Sequence, residues 1–271
     1  DESFQQTLFT SPNTPWTPEE LVGLVEGQEP MFAPGTETFY SNTNTALLGM
    51  VIEQATGKPV EEVFAEQIIE PLGLEHTVFP TDASFPEPHA TGYTMQGQTD
   101  EPADASDWNP SWGWTAGAMI SNVDDLLTYA EALVAGEPAL LGEEMQAERI
   151  GSFDFAIPPN SPERAYGLGL GLANGWYGHT GELPGFNTVV QHHLEEGITI
   201  VVMANSDIKA GSDCPEDAPV LPDGKREGPC EDPAVHIANT LTAALGYPLA
   251  PPADDAEATT TTAAATSTTG G

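Results

Sequence analysis

Positive charge is scarce in this sequence. Its 271 residues include six Lys and Arg against 42 Asp and Glu, which gives a formal net charge of −36 at pH 7. A surface of this charge repels phosphate backbones and anionic membranes, so we predict no nucleic-acid partner. Self-repulsion among the acids also disfavours the compact state unless salt screens it. Two interpretations stay open, a protein of a high-salt habitat or an ordinary acidic secreted protein.

Long apolar runs are also missing. No stretch reaches the roughly 20 residues that a membrane-spanning helix needs, so we predict no membrane span. Apolar residues make up 39% of the chain, which suffices for one large domain or two small ones. The sequence shows neither a starting Met nor a signal peptide, and we interpret it as a mature form or a fragment.

Cysteine is rare, and so are groups of neighbouring residues that could bind a metal. Cys214 and Cys230 flank a loop rich in Pro, Asp and Gly, and in a secreted protein such a pair predicts a disulfide, with two free thiols as the alternative. Among the six His, only His192 and His193 are adjacent, and neighbours in a strand face opposite sides. We therefore predict no metal and no cofactor.

The hydrophobic period changes along the chain, from helical in the first half to alternating in the second. Residues 1–16 are predicted to be irregular and 80–110 to form a long loop or lid. A helix is predicted to begin at Thr17-Pro18, and others at 43–56, 60–70, 122–135, 142–149 and 232–246. Antiparallel strands are predicted near 166–172, 175–180, 186–194 and 198–204. We expect one domain over 1–247 and a disordered Pro/Ala/Thr-rich tail over 248–271.

The stretch 33–57 carries the first candidate for chemistry. A Pro-Gly turn is followed by Tyr40, then by Ser, Asn and Thr residues that suit a helix N-cap, and then by apolar residues at helical spacing. Tyr40 and Asn42 both face one cavity if the backbone between them is extended. The phenol can move a proton and the carboxamide can hold a carbonyl or an ammonium. A core Tyr beside a capping Asn is the plainer alternative for this motif alone.

His179-Thr180-Gly181 is the second candidate. Gly181 would let a substrate strand approach the backbone, Thr180 can donate to a carboxylate, and His179 can polarise the Tyr-x-Asn region or carry positive charge. A strand His that ends at a turn is the alternative. Trp112 and Trp114 can wall the same pocket or be ordinary core aromatics.

The sequence as a whole resembles the serine hydrolases of the penicillin-binding protein and class C β-lactamase superfamily, and most of all the secreted D-alanyl-D-alanine carboxypeptidases. The resemblance covers most of positions 17 to 246 and rests on motifs in the family's order. These are Tyr40-Ser41-Asn42, Pro71-Leu72-Gly73-Leu74, Ser111-Trp112 with Ala116-Gly117-Ala118-Met119-Ile120-Ser121, Tyr166-Gly167-Leu168-Gly169-Leu170 and Tyr177-Gly178-His179-Thr180-Gly181.

The resemblance implies an α+β fold, in which an antiparallel sheet packs with helices and an all-helical region carries Tyr40 beside the cleft. It implies acyl transfer to water through an acyl-enzyme, on a small-molecule or peptidoglycan-peptide substrate. It also implies a monomer that is secreted or cell-wall associated. By the same resemblance Tyr40 moves protons, Asn42 binds the acyl amide, His179 and Thr180 hold the leaving side, and the amide of Glu182 forms half of an oxyanion hole. A phenol that acts as base needs positive charge nearby, which His179 and a Lys would supply.

The sequence departs from the family pattern at the nucleophile. The family places a Ser-x-x-Lys turn well upstream of Tyr-x-Asn, whereas here only Ser206-Asp207-Ile208-Lys209 matches, after the last strand. We interpret that match as chance and expect the N-terminal part of the domain, with its serine and lysine, to be absent. A homologue that has lost its nucleophile is the rival interpretation.

A second departure concerns the substrate. Related carboxypeptidases can use an Arg soon after Tyr-Gly-Leu-Gly-Leu, but residues 171–178 contain no Arg or Lys. This leaves esterase, amidase or β-lactamase activity open beside carboxypeptidase activity. The competing class is a non-catalytic module that binds cell-wall peptides.

Overall fold

The computed structural model describes residues 2–97, 101–136, 140–209 and 230–250. Seven of the α-helices that the structure describes lie within the first 150 residues, and an eighth lies near the end of the described chain. They are α1 (Glu2–Thr10), α2 (Pro18–Gly23), α3 (Asn42–Thr56), α4 (Val60–Phe64), α5 (Glu70–Leu72), α6 (Val123–Glu131), α7 (Glu143–Ile150) and α8 (Pro233–Leu245). A π-helical segment joins α4 to α5 (Ala65–Ile69), and another extends α6 (Ala132–Gly136). None of these helices is long and apolar enough to cross a bilayer.

The predicted irregular start of the chain is wrong, because residues 2–10 form α1. Leu8 is buried, and the ring of Phe4 packs edge-on against Trp16 and Trp112 at centroid distances of 5.1 and 6.1 Å. Phe9 packs close to Gly97, which has a positive φ. Tertiary contacts made by a few apolar side chains therefore stabilise a helix in a segment whose overall composition is polar.

Five antiparallel strands form the main sheet in chain order. They are β3 (Arg164–Tyr166), β4 (Gly171–Ala173), β5 (Trp176–Leu183), β6 (Phe186–His193) and β7 (Ile198–Ala204). Two short strands, β1 (Tyr93–Thr94) and β2 (Ala103–Asp104), form a separate pair within the predicted loop 80–110. The mixed helix and antiparallel-sheet fold agrees with the predicted α+β class.

The strand predicted near 166–172 is instead two strands with a tight turn between them. Gly169 has a φ of 65°, and the amide of Gly167 donates to the carbonyl of Leu170. A left-handed residue cannot continue a strand, and glycine adopts it without steric cost. The turn pairs Tyr166 with Gly171, and Gly171 in turn pairs with Gly178. Tyr166 is thereby brought beside β5.

The two faces of the sheet pack against different helices. On one face Trp176, Val189 and Val202 pack against Ala234 and Ala238 of α8. The other face carries the cluster of Leu170, Leu172 and partners around the end of α6. Burial of each large apolar side chain contributes about 1.5–3 kcal/mol. Because side chains alternate along a strand and Trp176 faces α8, the even-numbered side chains of β5 point towards α8 and the odd-numbered ones towards the opposite face.

Two predictions reach beyond the described residues. Cys230 is disulfide-bonded, and its predicted partner Cys214 lies outside the described residues. The predicted tail begins at Pro248, yet Leu249 packs against the core and its amide donates to the hydroxyl of Thr242. Residues 251–271 lie outside the description, so the disordered tail stays a prediction.

Candidate active site

Tyr40 and Asn42 meet at the start of α3. Ser41 is the N-cap with extended backbone angles (φ −146°, ψ 126°), so its two neighbours project to the same side. The Oη of Tyr40 donates to Oδ1 of Asn42 at 2.8 Å. The extended backbone that the sequence required for a shared cavity is therefore present.

Close packing holds α3 in place behind these residues. A Cβ at Gly49 would come within 2.8 Å of the side chains of Thr115 and Trp114, so only glycine allows this approach. The hydroxyl of Thr115 donates to the carbonyl of Thr45 at 2.8 Å. Trp114 thus packs beneath the helix, whereas Trp112 packs on Phe4.

His179 lies on β5 and contacts Tyr166 across the neighbouring strands. The Oη of Tyr166 is 3.0 Å from Nε2 of His179, and Nδ1 of His179 is 2.6 Å from the carbonyl oxygen of Thr180. A carbonyl only accepts, so Nδ1 carries the proton. In the neutral imidazole Nε2 is then an acceptor, and the phenol of Tyr166 donates to it.

Tyr40, Tyr166 and His179 form a three-ring cluster. Ring centroids are 5.4 Å apart for the two tyrosines and 5.6 Å for each tyrosine with His179. Burial raises the pKa of the Tyr40 phenol, and burial together with the nearby Tyr40 raises the pKa of Tyr166 to about 12. Both phenols are therefore proton donors at neutral pH. A phenolate base would need positive charge nearby, but the two Lys that the structure describes, Lys58 and Lys209, pair with carboxylates.

The edge of β5 beside this cluster is open. Pairing with β4 ends at Gly178, so from His179 to Glu182 no strand of the described chain covers this edge. A Cβ at Gly181 would meet only Thr188, at an ordinary 3.9 Å, so internal packing does not explain a glycine there. The side chains of His179 and Thr180 lie on opposite faces of the strand.

A cleft of about 2490 Å³ joins these elements. The structure brings all seven sequence-predicted residues to its walls. They are Tyr40, Asn42, Trp112, His179, Thr180, Gly181 and Glu182. Within the described residues no group of three His, Cys, Asp or Glu side chains is arranged to hold a metal.

Ser206 and Lys209 do not form a nucleophile pair. Lys209 contacts the carboxylates of Asp232 and Glu182, the latter at 3.6 Å, while the Ser206 hydroxyl accepts from the amide of Ile208 at 3.1 Å. Each group is engaged with a different partner, and no proton is shared between them. This geometry agrees with the interpretation of Ser206-x-x-Lys209 as a chance match.

Two residues of the site were missed in the sequence. Tyr166 stood inside a recognised motif, but its contact with His179 depends on the turn at Gly169. Asn187 is 1% exposed in β6, and its Nδ2 donates to the carbonyl of Gly181 at 2.8 Å. The sequence offered no signal that singles out Asn187, because β6 contains a second amide at Gln191 and most of its residues are polar.

The chain is similar in sequence to known proteins. The Beta-lactamase family model matches residues 3–225. A D-aminopeptidase of Cereibacter sphaeroides is 28% identical over 187 residues, covering 66% of this chain and 34% of that protein. The chain thus spans about a third of the length of this relative.

Solved structures of D-specific hydrolases are also similar to this chain. The D-stereospecific amidohydrolase from Streptomyces sp. has a TM-score of 0.70 at 34% identity, covering 76% of this chain and 63% of that one. The D-amino acid amidase from Ochrobactrum anthropi SV3 has a TM-score of 0.61 at 30% identity, covering 71% and 57%. With the match over residues 3–225, these findings show that the chain belongs to the β-lactamase family of serine hydrolases and penicillin-binding-protein homologues.

Proposed function

We propose that the protein is part of a serine hydrolase that attacks carbonyl groups next to D-amino acids through an acyl-enzyme, most like a D-alanyl-D-alanine carboxypeptidase of cell-wall metabolism. The observation that carries the proposal is the convergence of Tyr40, Asn42 and His179 on the open edge of β5. D-specific hydrolases among its relatives support the choice of substrate.

The geometry supports a role for each residue of the site. A substrate strand pairs with the open edge at Gly181 and receives a hydrogen bond from the amide of Glu182 at its carbonyl oxygen. Asn42 holds the acyl amide. Tyr40, kept protonated by burial, donates its proton to the leaving group as general acid. His179 and Thr180, on opposite faces of β5 but both lining the cleft, hold the leaving side.

The nucleophile is not among the residues described above. The chain carries the acid and binding half of the site, and chemistry needs a Ser-x-x-Lys turn that only a form of the protein with further sequence would supply. We propose that the 271-residue chain by itself acts as a binding module for the same substrate. The separate engagement of Ser206 and Lys209 favours this second function for the 271-residue chain.

Arg164 supports a substrate with a free carboxylate. It is exposed on β3, lines the cleft and stands two residues before Tyr166 on the same face. No ion-pair partner for its guanidinium exists among the described residues, although the chain has 42 acids. A guanidinium grips a carboxylate through two parallel hydrogen bonds. Arg164 thus offers the cation that residues 171–178 lack.

Titration calorimetry on the full chain tests the proposal. We expect N-acetyl-D-alanyl-D-alanine to bind more tightly than its C-terminal amide and than the L,L peptide. Arg164→Gln should weaken binding of the acid by roughly tenfold, the value of one charge-assisted hydrogen bond, and leave binding of the amide unchanged. Lys58→Gln is the charge-matched control, because Lys58 pairs with Glu66 outside the cleft. Equal binding of D,D and L,L peptides would refute the substrate assignment.

A further inference from the structure

Asn187 is a buried polar side chain with two fixed partners. Besides its bond to the carbonyl of Gly181, its Oδ1 accepts from the amide of Ala234 in the first turn of α8 at 2.8 Å. Its exposed fraction is 1%. Buried amides with both ends bonded define the relative position of the groups they join. Here one amide joins β5 to the start of α8.

The bond fixes the orientation of a particular peptide unit. The carbonyl of Gly181 and the N–H of Glu182 belong to the same planar trans peptide, so they point in opposite directions. Asn187 lies in β6, opposite Glu182, and holds the Gly181 carbonyl from that side. The N–H of Glu182 is therefore directed away from β6. That direction is the open edge of β5 and the cleft.

A second contact holds the side chain of Glu182, the residue that carries this N–H. Lys209 lies 3.6 Å from the carboxylate of Glu182 and also pairs with Asp232, the N-cap of α8. Asn187 and Lys209 therefore both connect this part of β5 to the start of α8. Lys209 also offsets the negative charge of Glu182, which would otherwise oppose an oxyanion bound at the amide of the same residue.

We infer that Asn187 is a positioning residue, which presents the N–H of Glu182 to the substrate carbonyl oxygen by holding the other end of the peptide against α8. The inference rests on the proposed function, in which this amide is an oxyanion donor. A donor fixed in advance needs no reorganisation when charge develops on the oxygen. The start of α8, far along the chain from Tyr40, thereby becomes part of the site's support.

Nuclear magnetic resonance of the labelled 271-residue chain tests this. In Asn187→Leu, we expect the Gly181 carbonyl carbon and the Glu182 amide signals to move, and binding of N-acetyl-D-alanyl-D-alanine to weaken roughly 3- to 10-fold. Gln191→Leu is the matched control. Gln191 is a buried amide on the same face of β6, and its Oε1 has no hydrogen-bond partner among the residues that the structure describes. It should leave the Gly181 and Glu182 signals in place.

Two further measurements keep the test decisive. If Asn187→Leu does not fold, Asn187→Ser, too short to reach both partners, replaces it. In the unmodified chain, a through-hydrogen-bond coupling between Nδ2 of Asn187 and the Gly181 carbonyl carbon is expected. Its absence, or unmoved Glu182 signals in a folded Asn187 variant, would overturn the inference. Failure of the unmodified chain to bind the peptide would instead count against the proposed function, because the peptide-orientation signals need no ligand.

Discussion

The phenol of Tyr166 donates to Nε2 of His179 at 3.0 Å, while the other ring nitrogen of His179 faces the carbonyl of Thr180. The two contacts together select one tautomer of the imidazole, with its proton on Nδ1. Nε2 is then an acceptor in the resting cleft. This places a hydrogen-bond chain from β3 to β5 beside Tyr40.

The tautomer can be observed directly. At a pH where the imidazole is neutral, nitrogen chemical shifts should show His179 protonated on Nδ1. Tyr166→Phe should move the Nε2 signal, because its donor is lost, and should leave Nδ1 protonated. Tyr177→Phe, which changes a ring that packs on Phe153 instead, should move neither signal. A proton found on Nε2 in the unmodified protein would contradict the assignment.

Reaction with a penicillin tests whether the 271-residue chain lacks a working nucleophile. The 271-residue chain should form no covalent adduct with a fluorescent penicillin, because no Ser-x-x-Lys stands before Tyr40 and Lys209 is held by carboxylates. Mass spectrometry after incubation gives the result. An adduct on Ser206 would show that the separate partners of Ser206 and Lys209 do not prevent attack.

A form of the protein that includes a Ser-x-x-Lys turn before Tyr40 should acylate, and there Tyr40→Phe should slow acylation by about 10²–10⁴, the range for a lost general acid or base. Tyr93→Phe, at an exposed Tyr on β1, is the control and should have no such effect. Stopped-flow measurement of the acylation rate distinguishes the two. Equal rates for Tyr40→Phe and the unmodified form would remove Tyr40 from the proton transfer.

His192 should make stability depend on pH. It is 5% exposed, and burial lowers its pKa, with His193 adding to the effect and Glu131 partly offsetting it. The unfolded chain then binds the proton more readily, so this stability contribution is present above the unfolded pKa of about 6.5 and is lost as pH falls towards the folded pKa. Urea titrations between pH 8 and pH 5 give the unfolding free energy at each pH. His192→Gln should reduce the slope of that free energy against pH, by no more than the uptake of one proton accounts for.

The exposed His76 supplies the comparison for that measurement. His76→Gln makes the same substitution at an exposed site and controls for the chemistry of the replacement itself. A slope unchanged by His192→Gln would mean that the imidazole is protonated equally in both states.

Salt should stabilise the fold. With a formal net charge of −36, screening by NaCl relieves self-repulsion in the compact state. Each gain of about 1 kcal/mol raises Tm by about 2–4 °C for a chain of this size. We expect Tm from calorimetry to rise between low and molar NaCl, and sucrose at matched osmolality to give a smaller rise. A flat or falling Tm in NaCl would favour an ordinary acidic surface.

The sequence by itself determined the elements that local signals define. Apolar spacing and a C-terminal Gly57 predicted α3, alternation predicted β7 with its observed ends, and Thr17 with Glu20 formed the capping box expected of a helix start. The residues Tyr40, Asn42 and His179 could be chosen because they sit in short motifs whose chemistry is readable from residue type and spacing. The family could be identified from the order of those motifs.

Tertiary structure decided what depends on distant contacts. Helix α1 forms because Phe4 and Leu8 find partners elsewhere, which composition cannot reveal. The contact between Tyr166 and His179 follows from a turn at Gly169 and from strand register. The bond of Asn187 joins residues 181, 187 and 234, and only folding brings them together. Local sequence sets backbone preference, but the direction of a buried side chain and the partner it meets are properties of packing.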